Sequence, residues 1–309
     1  MNQQYDIPIL ILIFNRPQHT KKTFEVIKKI QPKFLYIASD GARPEVAGEI
    51  EIVAQTRSIF EKLDWNCEIK TLYRDRNLGC TMSVTSSISW FFENVEYGII
   101  LEDDCLCDSS FFMLCEEVLP KYKDNEQIMH ISGSNFLNSK KHENRSYYFS
   151  KFISCWGWAS WKRAWKKFRI DLPEIVAEKE HIENIEWIAT NKFLFEKWYN
   201  LFQYHRTGED NIWDYRWQYN IWHHRGICIT VSQNLVSNIG YGELATTSTG
   251  KNKTRNKIAA LRVLPLTSIQ HPYDIEIDAK KDYKTQLILH PKTINFQTHY
   301  KEAFTTEIH

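Results

Sequence analysis

Glu102, Asp103 and Asp104 are consecutive carboxylates closing an apolar run in "GIILEDDCLCDSSFF" (98–112). Three adjacent negative charges repel one another, and none is easily buried without a partner. The chemistry open to them is the capture of a cation. Hard ions such as Mg2+ or Mn2+ accept one or two carboxylates and complete their shell with substrate oxygens, phosphate oxygens among them. The plain alternative is a solvated acidic loop. A second carboxylate pair, Asp210 and Asp214, sits in "GEDNIWDYRWQYNIWHHRG" (208–226). Four residues apart, the two share a helix face, where like charges cost about a few tenths of a kcal/mol, so a use for one of them is expected. One can serve the helix cap and dipole, leaving the other free. His223 and His224 are adjacent, point in different directions and make poor joint ligands.

The elements that must position these groups alternate. Strand 7–14 leads through "NRP" into a helix ending near residue 30, and strand 34–39 through "DGARP" into a second helix. There Val46, Ile50, Val53 and Phe60 recur on one face. Strand 68–73 leads through "RDRNLG" into a helix over 81–93. Strand 98–101 leads through "EDD" into a helix capped by Asp108 or Ser109, and strand 128–132 follows. Repeated βα units predict an α/β fold with a mostly parallel sheet and right-handed crossovers. Ligands of such sheets bind beyond the carboxyl ends of the strands. The loops falling there converge Arg16, Asp40, Arg74, Asn77 and the acidic triplet, a set able to hold a polyanion, a base and a metal. No G-x-G-x-x-G follows the first strand and no G-x-x-x-x-G-K-[ST] occurs, so dinucleotide and P-loop readings lose their main support.

The second half is less regular. "CWGWASWKRAWKKFR" (155–169) places Trp158, Trp161, Trp165 and Phe168 on one helical stripe with basic residues elsewhere. It reads as a core-packed helix with a basic outer face, or as an interfacial membrane helix. Residues 208–226 read as one helix, capped by Asp210 or Asn211 and stopped by Gly226. Strand "ICITV", the polar loop "SNIGYGELATTST" and a basic, then mixed, tail complete the chain. The expected division is a nucleotide- and metal-binding half (1–135), an acceptor-binding and catalytic half of the same domain (136–250), and a packed tail (251–309).

A net charge of +1 over 309 residues supplies no global field for nucleic acid or a membrane, so any anion site is local. The 11 Trp, 15 Tyr and 17 Phe suit sugar stacking and a large core equally. Seven cysteines without a CxxC pair argue against a disulfide framework or zinc ribbon and for reduced thiols in a cytoplasmic protein. "IPILILIF" falls far short of the roughly 20 residues that span a bilayer, so at most peripheral contact with the inner face of a membrane is expected. The sequons at Asn144 and Asn252 then carry no weight.

The strand–"EDD"–helix unit, behind three nucleotide-type loops, resembles the GT-A fold of metal-dependent glycosyltransferases. "IFNRPQHTKKTFEVI", "YIASDG", "ILEDDCLCDSSFF", "CWGWASW" and "IWDYRWQ" occur in the order seen in the N-acetylglucosaminyltransferase I family. The "LVSNIGYGE" segment is similar to bacterial nucleotide-diphospho-sugar transferases with the same pattern. The resemblance covers about residues 5–245 and implies an inverting transfer from a UDP-sugar to a glycan or lipid-linked glycan acceptor, as in the synthesis of surface polysaccharide. It implies Arg16 at the diphosphate, Asp40 at the base, and Arg74 and Asn77 beside the nucleotide in a loop that differs from the animal enzyme's. It further implies Asp104 on Mn2+ or Mg2+, and Asp103 and Glu102 at the ribose, donor sugar or metal-bound water. Asp214 falls where the family keeps its general base, with Asp210 as its rival by spacing, and Trp156, Trp158 and Trp213 are candidate acceptor walls. Two other readings remain: a sugar-nucleotide nucleotidyltransferase, which usually carries a glycine-rich, lysine-bearing first loop absent from "NRPQHTKK", and a non-catalytic carbohydrate-binding protein.

Overall fold

The computed structural model describes residues 4–137, 144–171, 192–206, 212–240 and 261–289. Among them the apolar runs become the strands of one mixed sheet. β1 (Ile9–Ile13), β2 (Phe34–Ser39), β3 (Glu68–Tyr73) and β4 (Tyr97–Glu102) are parallel and in register, in the order β3-β2-β1-β4. β1 is buried at all five positions, as a strand covered by helices on both faces must be. Its crossover, α1 (Pro17–Ile30), opens with proline at the first helical position and closes with Lys28 and Lys29, each suited to its end of the helix. α2 (Glu49–Ser58), α3 (Cys80–Asn94) and α4 (Ser109–Lys121) follow, and the Asp108 carboxylate caps α4 by accepting from the Ser110 amide. The α/β architecture and mostly parallel sheet are therefore as expected, with four parallel and three antiparallel pairings described within this sheet.

The second half departs from the sequence reading. Beyond β4 the order is β8-β6-β9-β7, with β6 (Ile128–Ser132), β7 (Tyr147–Ser150), β8 (Trp158–Trp161) and β9 (Ile227–Val231). β8 inserts antiparallel between β4 and β6, where the reading had a helix over 155–169. Only one turn of helix, α5 (Lys162–Trp165), follows it. The cause is the packing of a central strand on both faces. Trp158 stacks against His130, while the Trp161 indole donates to the Leu119 carbonyl of α4. Trp158, Trp161 and Trp165, the expected stripe, are buried in the core. No helix among the described residues is long and apolar enough to cross a membrane.

α6 (Lys192–Arg206) precedes α7 (Asp214–His223), which begins at Asp214 rather than at the expected caps Asp210 or Asn211, both outside the described residues. Gly226 does not itself take the left-handed position. Arg225 does (φ 52°), and the Gly226 amide then reaches back to the Ile221 carbonyl and that of Arg225 to the Trp222 carbonyl, a Schellman closure. The expected face of the second helix is also corrected. Val53 and Phe60 are buried, but Val46 and Ile50 are exposed and Glu49 points inward. In the tail, α8 (Ala279–Leu289) docks through Asp282 on Ser150 and through Gln286 on Trp198. A small ribbon, β5 (Cys105–Cys107) paired antiparallel with β10 (Val236–Asn238), forms where the reading had only loops. All seven cysteines are free thiols.

Candidate functional site

Arg16 lies just beyond β1, after Phe14 and Asn15, and caps α1, so its side chain starts at the carboxyl end of the sheet. Asp103 and Asp104 form the turn between β4 and β5, one strand over. The guanidinium spans both carboxylates. Its Nε and Nη2 take the two oxygens of Asp103, the former at 3.2 Å, and Nη1 takes Asp104 Oδ2 at 3.0 Å. Burial alone would lower the Arg16 pKa, but the two aspartates hold it above its ordinary value. The cation that the acidic triplet meets is thus a side chain of the same protein.

The far strand completes this corner. Asn238 Nδ2 donates to Asp104 Oδ1 at 3.1 Å, the Ile239 amide donates to the Asp104 carbonyl at 2.9 Å, and the His19 imidazole donates to the Ile239 carbonyl. Gly240 lies so close that a Cβ there would collide with the Asp104 carboxylate. From α1, the Thr23 hydroxyl donates to the Asp103 carbonyl at 2.8 Å. Glu102 is the odd member. Its carboxyl makes no hydrogen bond among the described residues, and burial, then the charge of Asp104, push it up to about 8 despite Arg16. Burial likewise raises Asp103 to about 6 against the pull of Arg16.

These carboxyl groups do not fit a bound divalent ion as they are arranged. Asp103 is bonded through both oxygens to Arg16, Asp104 is shared between Arg16 and Asn238, and no group of three His, Cys, Asp or Glu among the described residues could hold a metal.

The second and third loops lock to each other. Asp40, 6% exposed, accepts from the amides of Gly41 (2.9 Å) and Leu78 (3.0 Å), so its carboxylate braces the loop backbone. Burial raises its pKa while those amides oppose the shift. Asn77 bridges the same loops, donating to the Gly41 carbonyl at 2.8 Å and accepting from the Gly79 amide. Gly79 needs its positive φ of 78°, and a Cβ on Gly41 would strike the Arg76 backbone. Arg74 instead turns toward α3, donating to Ser86 Oγ at 2.7 Å.

Asp214, at the first position of α7, has Oδ1 accepting from the Tyr215 amide at 2.9 Å. Its charge contributes to the raised pKa of Glu102, and both carboxylates act on the thiols of Cys80 and Cys155. Asp214 and the acidic turn therefore belong to one electrostatic neighbourhood, although about 110 residues separate them in the chain. The tryptophans divide. Trp158 (0% exposed) and Trp213 (5%) are stacked on each other in the core, 5.8 Å between centroids, and offer no face to a ligand. Trp156 remains partly exposed, edge-on to Phe136.

Four contributors escaped the sequence reading. Glu49 joins the first two loops by accepting from Asn15 Nδ2 (2.8 Å) and from Arg43 Nε (2.9 Å), which brings its pKa down to about 2. Arg57 donates to Ser39 Oγ and to the carbonyls of Asp40 and Arg74. Asn238 and His130 are the others, and only Asn238 had a local signal, in "SNIG".

No protein-family model matches this chain, and no curated protein does. Solved structures align with parts of it. The crystal structure of HddC from Yersinia pseudotuberculosis aligns over 51% of this chain and 77% of its own, at 10% identity and a TM-score of 0.32. The bifunctional glycosyltransferase WbbM in its apo form aligns over 45% and 24%, at 7% identity and 0.26. Mouse xyloside xylosyltransferase 1, also apo, aligns over 70% and 81%, at 7% identity and 0.34. Likeness this remote assigns no activity to the chain.

Proposed function

We propose that this protein is a glycosyltransferase that moves a sugar from a nucleoside diphosphate, UDP in the first instance, to a hydroxyl of a glycan. The observation carrying the reading is Arg16, fixed across Asp103 and Asp104 at the carboxyl end of the sheet, with Asp214 in electrostatic reach of the same carboxyl cluster. A guanidinium has five N–H donors, and Asp103 and Asp104 engage three, leaving about two for the oxygens of a diphosphate. The positive end of α1, which begins at Pro17, favours the same anion. The interlocked loops of Asp40 and Asn77 form the adjoining wall for the base, with Arg74 behind it, and the acceptor lies toward Trp156.

In the reaction, the acceptor oxygen attacks the anomeric carbon and the bond from that carbon to the diphosphate oxygen breaks. The electron pair leaves with the diphosphate, which Arg16 stabilises, and the hydroxyl proton passes to Asp214 on the opposite face. Attack opposite the leaving group inverts the anomeric centre. No step is assigned to an ion. If Mn2+ or Mg2+ takes part, Asp104 is the residue to receive it, in exchange for Arg16.

Thermal unfolding with UDP, in EDTA and again with Mn2+, tests the reading, because a ligand that binds the folded state raises its melting temperature. UDP should raise it, and Arg16→Ala should abolish the rise. Asp214→Asn should keep the rise and lower release of UDP from a UDP-sugar by about a hundredfold or more. No rise with UDP under either condition would end the proposal, and release of pyrophosphate instead of UDP would turn it to a nucleotidyltransferase.

A further inference from the structure

His130 has no part in that reaction, yet it sits under it. It lies on β6, is 0% exposed, and meets two segments that the site needs. Its Nδ1 is 3.3 Å from the indole Nε1 of Trp217, one turn beyond Asp214 on α7. Its Nε2 is 3.1 Å from the carbonyl of Ser154, which opens the stretch leading to Trp156 and Trp158. The ring lies flat on Trp158 (5.0 Å, 17°), and Trp158 in turn stacks on Trp213, the residue preceding Asp214. The partners fix the proton. An indole can only donate and a carbonyl can only accept, so Nδ1 is bare and Nε2 carries the hydrogen. A buried, neutral imidazole suits that role, and burial brings the His130 pKa down to about 3.

The geometry points to His130 as a positioning residue: through Nδ1 it sets the first turn of α7 and thereby the Asp214 carboxylate, and through Nε2 it sets the Ser154–Trp158 stretch beside the acceptor. The inference rests on the reading of Asp214 as the base. Its two ties are separable. His130→Asn puts an amide oxygen near the Nδ1 position and loses the Ser154 tie, whereas His130→Gln puts an amide nitrogen near the Nε2 position and loses the Trp217 tie.

The experiment is steady-state release of UDP from UDP-glucose and UDP-N-acetylglucosamine with water as acceptor, alongside hydrogen exchange of the α7 amides. His130→Gln should lower kcat at least tenfold with donor KM within twofold of wild type, and should speed exchange at residues 217–220. His130→Asn should keep kcat within threefold and leave that exchange unchanged. Equal losses in the two variants, or KM rising in step with falling kcat, would overturn the positioning role and leave His130 a packing residue. If the wild type neither binds UDP nor releases it, the glycosyltransferase reading fails by itself. Exchange then decides the His130 tie alone, and α7 amides unchanged in His130→Gln overturn it.

Discussion

Arg16→Ala should destabilise the protein far more than a surface arginine would, and by a route that acid or a second substitution repairs. The Asp103 and Asp104 side chains are only 4% and 8% exposed, and Arg16 is the cation between them. Removing one partner of a buried ion pair costs about 3–5 kcal/mol, because the remaining charge is left desolvated. For a chain of 309 residues each kcal/mol is worth about 1.5–2 °C, so the loss should read as about 5–10 °C. The assay is calorimetry at pH 7.5 in EDTA. Asp103→Asn in the same background removes one stranded charge, and the double variant should recover about 0.5–3 kcal/mol relative to the sum of the single losses. Acid should also help. Burial already lifts Asp103 to about 6 with Arg16 present, and without the pull of Arg16 that carboxyl rises further. The folded variant then binds protons that the unfolded chain releases, so its deficit shrinks as pH falls from 7.5 to 5. A melting point within about 2 °C of wild type at pH 7.5, or additive losses in the double variant, would refute the assignment of Arg16 as the counter-charge.

Asp282 gives a pH signature of the same sign in the wild-type protein. Burial raises it to about 6 from 3.8, so the folded state keeps a proton that the unfolded chain loses. Its contribution is full below about pH 4 and disappears as pH rises through 6, and the melting point of Asp282→Asn relative to wild type should climb over that window. Glu49→Gln should destabilise by about 1–3 kcal/mol and weaken UDP binding, read by urea titration and by thermal shift, since it loosens Asn15 and Arg43 together. Gln31 ends α1 exposed at φ 51°, and Gln31→Gly should stabilise by about 0.5–1 kcal/mol in the same urea titration.

The first half of the sheet was legible because β1, β2 and β4 are written as unbroken apolar runs with turn residues between them. β8 was not, because a strand buried on both faces carries large residues at consecutive positions, and Trp158, Trp161 and Trp165 fit a helical stripe equally well. At the site, the residue types at the strand ends could be named, but their partners could not. Spacing cannot say that Arg16 reaches across to Asp103, 87 residues on, or that Arg74 turns to Ser86 instead. Glu49 is a first-turn acid of α2, and nothing in its local sequence marks the tie to Asn15, 34 residues earlier. The burial of Trp158 and Trp213 follows from stacking between β8 and the start of α7, a contact that neither segment encodes alone.

The β5–β10 ribbon has a consequence for synthesis on the ribosome. Asp104 receives Asn238 across 134 residues, and the Ile239 amide closes the same turn. The parallel strands and the acidic turn can therefore emerge and collapse early while the corner that makes them useful stays open until residue 240 has left the exit tunnel. A chain halted before that point would keep most of its core and leave the acidic turn without its closing strand.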